Sequence, residues 1–147
     1  MAEHVLNLSR RLAAPREKVF AVWENADHRM NWWSRKGLSC AEFTHDFRVG
    51  GTWQSRLVGD ETGRSFWMGG AYTVIDRPKR IAFTFAWLEG GTERGVESVI
   101  EVTLEADGSD TVLGFRQAPF ATVEARDAHG EGWSDCIDSL AEMIAAG

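Results

Sequence analysis

Near the start of the chain Leu6, Leu8 and Leu12 alternate with Asn7, Ser9 and Arg11. A period of two predicts a half-buried strand. Pro15 follows and suits the first position of a helix. Val19, Val22, Trp23 and Ala26 then recur at helical spacing beside Phe20, which predicts about three turns of helix. Asn25 or Asp27 is placed to cap a second short helix carrying Met30, Trp32 and Trp33.

From about residue 38 the period changes to two. The alternation predicts strands over Ser39–Arg48, Thr52–Val58, Phe66–Asp76, Arg80–Trp87, Val96–Ala106 and Thr111–Gln117. Their breaks carry turn chemistry: Gly50-Gly51, Gly59 to Gly63, Asp76 to Lys79, Glu89-Gly90-Gly91 and Asp107 to Asp110. Connections this short favour antiparallel neighbours. Ile81, Phe83, Phe85 and Trp87 share one face, and Ile100, Val102 and Leu104 another, opposed by Glu101, Thr103 and Glu105. One side of the sheet is therefore wet and the other covered.

The cover comes last. Trp133, Ile137, Leu140 and Ile144 form an apolar stripe with Cys136 and Met143 beside it, while Asp135, Asp138 and Glu142 lie off it. This helix starts as early as Thr122, although Gly130 and Gly132 weaken its middle. The predicted class is α+β, in the order β-α-α-β-β-β-β-β-β-α. A curved antiparallel sheet of six to seven strands wraps around the long C-terminal helix.

With 147 residues, the chain reads as a single domain able to bury its own core. No apolar run approaches the roughly 20 residues a membrane helix needs, and no secretory signal is visible. Cys40 and Cys136 form neither a disulfide framework nor a zinc-ligand pair. A reducing, cytoplasmic setting is expected. The net charge of −6 argues against a general nucleic-acid binder. It is uneven: residues 1–80 carry 13 basic and 9 acidic side chains, residues 81–147 carry 3 and 13. The split reads as two differently solvated faces of one domain, or else as an electrostatically steered partner surface.

Seven Trp and eight Phe are many for this length. They suggest densely packed rings or an aromatic-lined pocket.

The order and spacing of several short motifs resemble the helix-grip fold of the START-like (SRPBCC) superfamily. Within it the chain is similar to the branch named after the activator of heat-shock-protein-90 ATPase. Arg11-Leu12, Ala14-Pro15 and Val19-Phe20 look like that branch's opening strand and helix, and Trp32-Trp33 like its paired tryptophans. Phe47-Arg48-Val49-Gly50-Gly51-Thr52-Trp53 resembles its double-glycine turn. Gly70 followed by Ile75 to Ile81, then Phe83-Thr84-Phe85, resembles its hairpin. Asp110 to Leu113 looks like its last strand, and Gly132-Trp133 with Leu140 like its closing helix. The resemblance implies a cavity between sheet and C-terminal helix that takes an apolar or aromatic small molecule. It implies no shared reaction, because the fold hosts binders, cyclases and co-chaperone domains alike. The eukaryotic co-chaperone has an additional N-terminal domain, for which this chain is expected to lack room.

No phosphate-binding loop and no dinucleotide fingerprint is present. His4, His28, His45 and His129 form no metal-binding pair, so no metal and no cofactor is expected. The glycine pairs Gly50-Gly51, Gly69-Gly70 and Gly90-Gly91 read as turns or bulges. Asp127, His129 and Glu131 read as a solvated helix start, or else place His129 at a cavity mouth. His45 and Asp46 point to opposite faces of their strand. Cys136 reads as a buried, inert thiol. No catalytic residue is assigned.

The expected ligand-binding set is Trp23, Trp33, Trp53, Ser55, Met68, Tyr72, Phe83, Phe85, Trp87, Phe115, Gln117 and Trp133. Gly70 among bulky neighbours is expected to leave space. Ser55, Tyr72 and Gln117 are the expected polar contacts, and Trp32-Trp33 the expected rim. Arg56 and Arg116 are expected on solvated faces. The leading expectation is a cytoplasmic, non-catalytic binder of an apolar or aromatic molecule. An enzyme of cyclase or hydrolase type would need an acid or base from among His129, His45, Tyr72 and Asp46. A co-chaperone-like interaction module with a chaperone partner is the third class. Neither nucleic acid nor a membrane is an expected partner. An exposed sheet edge or the aromatic rim offers a route to a homodimer.

Overall fold

The computed structural model describes residues 4–89, 92–93 and 97–146. Strand β1 spans His4–Leu12, followed by helices α1 (Arg16–Glu24) and α2 (Ala26–Trp32). Seven strands come next: β2 (Leu38–His45), β3 (Thr52–Gly59), β4 (Ser65–Asp76), β5 (Arg80–Glu89), β6 (Thr92–Glu93), β7 (Ser98–Asp107) and β8 (Asp110–Phe120). Helix α3 (Val123–Ala146) closes the chain. The order is the predicted one with one short strand, β6, added. The Gly90-Gly91 turn and Val96, the expected start of a strand, lie outside the described residues.

All pairings are antiparallel, and the sheet runs β1-β8-β7-β5-β4-β3-β2, with β6 hanging on β5. This is the α+β helix-grip architecture. The long helix packs against β1 and β8, while α1 packs against β7 and β8 and α2 against the edge strand β2. Two local differences from the sequence reading have simple causes. Pro15 is the extended residue before α1 rather than its first helical residue. Trp33 caps the end of α2 instead of lying inside it. Asn25 joins the two helices: its backbone N–H closes α1 onto Ala21, and its side chain accepts the N–H of His28 to start α2.

The inner face of the sheet is built from Trp53, Ser55 and Leu57 of β3, Met68 and Tyr72 of β4, and Phe83 and Phe85 of β5. From β7 and β8 it takes Ile100, Val102, Leu104, Leu113, Phe115 and Gln117. Against it α3 lays Trp133, Cys136, Ile137, Leu140 and Ile144, the stripe read from spacing. Thr122 supplies the cap, its hydroxyl accepting the N–H of Ala125 at 3.0 Å.

Gly70 does not leave space, contrary to expectation. A Cβ there would lie 1.9 Å from the carbonyl oxygen of Thr84 on the neighbouring strand. That carbonyl accepts the indole N–H of Trp53 at 3.0 Å, and the Thr84 hydroxyl accepts the N–H of Ala71 at 2.9 Å. The glycine admits a neighbouring backbone, not a ligand.

Candidate functional site

A cavity of about 360 Å³ lies between the sheet and the first half of α3. Small-molecule sites commonly measure about 300–1,000 Å³. Leu57, Met68, Phe85 and Trp87 line it from the sheet. Ala125, Ala128, His129, Gly132, Trp133 and Cys136 line it from α3. Trp33, Ser34 and Arg35, the segment leaving α2, complete the wall. The five aromatic rings on the wall come from three separate elements. They converge because strand side chains of one parity face α3, and helix positions three or four apart face the sheet.

Five members of the expected set lie on this wall: Trp33, Met68, Phe85, Trp87 and Trp133. The other seven, Trp23, Trp53, Ser55, Tyr72, Phe83, Phe115 and Gln117, are buried in the packed interior outside the lining. Trp32 is likewise buried, with its ring centroid 4.7 Å from that of Trp23.

The three polar members of the set bond other protein groups. Ser55 Oγ accepts the indole N–H of Trp33 at 3.1 Å. Gln117 Oε1 accepts that of Trp133 at 2.7 Å, while its Nε2 donates to Ser98 Oγ at 2.9 Å. Tyr72 Oη meets His45 Nδ1 at 2.7 Å and accepts from Arg29 Nη1 at 3.4 Å. An indole N–H buried without an acceptor costs about 1–3 kcal/mol, so these groups hold the two wall tryptophans in place. Arg56 lies half-buried against Glu42 at 3.1 Å, and Arg116 is exposed, as expected for the outer face.

At the mouth, Trp87 is 40% exposed, and its indole donates to His129 Nε2 at 3.3 Å. The imidazole also packs among Phe85 and Phe120. Burial and the nearby Arg35 both push the His129 pKa below its ordinary value. Both effects favour the neutral imidazole, whose Nε2 accepts the Trp87 N–H. Burial pushes the Cys136 thiol up to about 12, and its sulfur contacts the Trp32 carbonyl at 3.4 Å. A thiol that weakly acidic is a poor nucleophile, and the His129 lone pair is already engaged. Apolar enclosure is what this wall offers most.

Arg35, Leu57, Ala125 and Ala128 are wall residues that the expected set lacks. Leu57 was legible as sharing a face with Trp53. Ala125 and Ala128 continue the three- and four-residue spacing of α3, but side chains that small mark it weakly, and the loop Arg35 carries no periodic signal at all.

The family described as activator of Hsp90 ATPase homolog 1-like protein matches residues 13–145 of this chain. The crystal structure of the AHSA1 protein from Silicibacter pomeroyi is similar over 97% of this chain and 99% of its own, with 28% identity and a TM-score of 0.86. A protein from Nitrosomonas europaea is 24% identical, with a TM-score of 0.83 over 99% of this chain and 97% of that one. One from Chromobacterium violaceum is 22% identical, with a TM-score of 0.82 over 96% and 97%. The last two likenesses are of fold alone. No curated protein matches the chain. No helix among the described residues is long and apolar enough to cross a membrane.

Proposed function

The chain belongs to the activator of Hsp90 ATPase homolog 1-like family, and from that premise we propose that it is a small-molecule binding protein enclosing an apolar or aromatic ligand. The observation that carries this reading is the cavity of about 360 Å³, walled by Trp33, Met68, Phe85, Trp87 and Trp133. Rings held by their own hydrogen bonds form a rigid apolar surface, so little ordering is left to offset on binding. Each Å² of apolar ligand surface removed from water contributes about 25 cal/mol before the cost of association. The binder needs no catalytic group in the wall, and neither Cys136 nor His129 is poised as one.

The test is to narrow the cavity without touching the packed interior. Ala125 lies on the wall in the first turn of α3 and is only half-buried. Ala125→Trp should abolish binding of a neutral probe such as 2-naphthalenemethanol, followed by tryptophan fluorescence, with the circular dichroism spectrum unchanged. Undiminished binding in the folded variant would place the probe elsewhere and sink the reading. Native mass spectrometry of the freshly purified chain should show an additional small-molecule mass that denaturation removes.

A further inference from the structure

The wall is not uniformly apolar. Its basic groups gather where the segment after α2 meets α3. Arg35 and His129 both line the cavity, and Gly132 lies three residues beyond His129, on the same helix face. The Arg35 side chain rests on Gly132: a Cβ there would come within 3.2 Å of Nη1, 3.5 Å of Cδ and 3.6 Å of Cζ. A glycine inside a helix costs up to about 1 kcal/mol relative to alanine. Here the bare backbone provides the seat for a guanidinium at the cavity.

That guanidinium has no counter-ion among the described residues. Seven other arginines form ion pairs with carboxylates among the described residues: Arg10, Arg11, Arg48, Arg56, Arg77, Arg80 and Arg126. Arg35 forms none among them. Asp135, on the turn of α3 after Gly132, is engaged by the backbone N–H of Lys36 at 3.2 Å. The cavity thus has one cationic corner, beside Ser34 and His129, on a mostly apolar wall.

Building on the proposed binding function, we infer that the ligand is an apolar acid, an aromatic or alkyl carboxylate. Its carboxylate pairs with the Arg35 guanidinium, and its hydrocarbon part lies against Met68, Phe85 and Trp133. The planar fork of an arginine matches two carboxylate oxygens at once. The aromatic wall beside it lowers the local dielectric and strengthens the pair relative to open water.

Two probes of the same ring system separate charge from shape: 2-naphthoate and 2-naphthalenemethanol, titrated at pH 7.5 into wild type, Arg35→Gln and Arg35→Lys. Wild type should bind the acid roughly tenfold more tightly than the alcohol, as befits a charge-assisted pair. Arg35→Gln should remove that preference, the acid then binding no more tightly than the alcohol, with an unchanged circular dichroism spectrum certifying the fold. Arg35→Lys should restore part of it. Equal affinities in wild type, or an acid affinity untouched by Arg35→Gln, would overturn the inference while leaving the binding function standing. Binding of neither probe would overturn the binding function itself, and this inference with it.

Discussion

The guanidinium of Arg29 lies over the ring of Trp33, its central carbon 4.4 Å from the ring centroid. Trp33 thereby separates a buried cation from the cavity that it lines. Arg29 is fully buried on α2 and is also flanked by the rings of Phe43 at 4.5 Å and Trp23 at 4.9 Å. Its Nη1 donates to the Trp23 carbonyl at 2.7 Å, but Nε and Nη2 have no hydrogen-bond partner among the described residues. Aromatic faces take the place of the carboxylate that a buried arginine usually finds.

That arrangement makes a prediction about stability. Burying a charge without a counter-ion is expensive, and an apolar residue of similar length avoids the expense. Arg29→Met should be as stable as wild type or up to about 2 kcal/mol more stable, by the behaviour of buried charges replaced with apolar side chains. Arg29→Ala should lose about 3 kcal/mol, because it empties volume between packed rings. Urea unfolding of both variants measures the contrast. If Arg29→Met loses as much as Arg29→Ala, the ring–cation contacts outweigh the burial cost.

Gly132 carries the second prediction. Gly132→Ala should raise stability by up to about 1 kcal/mol through helix propensity, since only the flexible end of Arg35 must move aside. The same change should displace the guanidinium and weaken binding of 2-naphthoate, so stability and acid affinity move in opposite directions. A variant that gains stability and keeps its full acid affinity would show that the seat is dispensable.

The third concerns pH. His45 is held below its ordinary value of 6.5 by burial and by Arg29, and His129 by burial and Arg35. In the unfolded chain both imidazoles protonate near 6.5, while the folded chain resists. As pH falls below about 6.5 the unfolded state therefore binds more protons, and stability is lost until the folded-state values are passed. Melting temperatures should fall between pH 7.5 and 5.5, and His45→Gln together with His129→Gln should flatten the curve. Glu24, held below 4.5 chiefly by its hydrogen bonds to Arg77, keeps its charge across that window. A profile that the double variant leaves unchanged would assign the loss to other groups.

The strands were legible because each is bounded by turn residues and alternates inward and outward. The stripe on α3 was legible because its period is regular over three turns. β6 was not, since a strand of two residues has no period to read. The site was legible in part, for a related reason. Alternation says which side chains face inward, and it placed Trp53, Phe83 and Phe115 as correctly buried as Phe85 and Trp133. It cannot say where the helix stands away from the sheet. Ser55 and Gln117 looked available to a ligand because the indoles they serve, Trp33 and Trp133, lie far off in sequence. Arg35 sits in a segment with no repeating pattern, and its role depends on a glycine about a hundred residues away.

Gly70 and Trp53 are tied to each other through one backbone carbonyl, that of residue 84. A side chain at position 70 evicts the Thr84 carbonyl, and without that carbonyl the indole of Trp53 loses its acceptor. The acceptor is backbone, so it stays whatever side chain stands at position 84, whereas a side chain at position 70 costs Trp53 its partner. Descendants of this chain that lose Gly70 should lose Trp53 with it, and Trp53 should persist only where position 70 stays glycine.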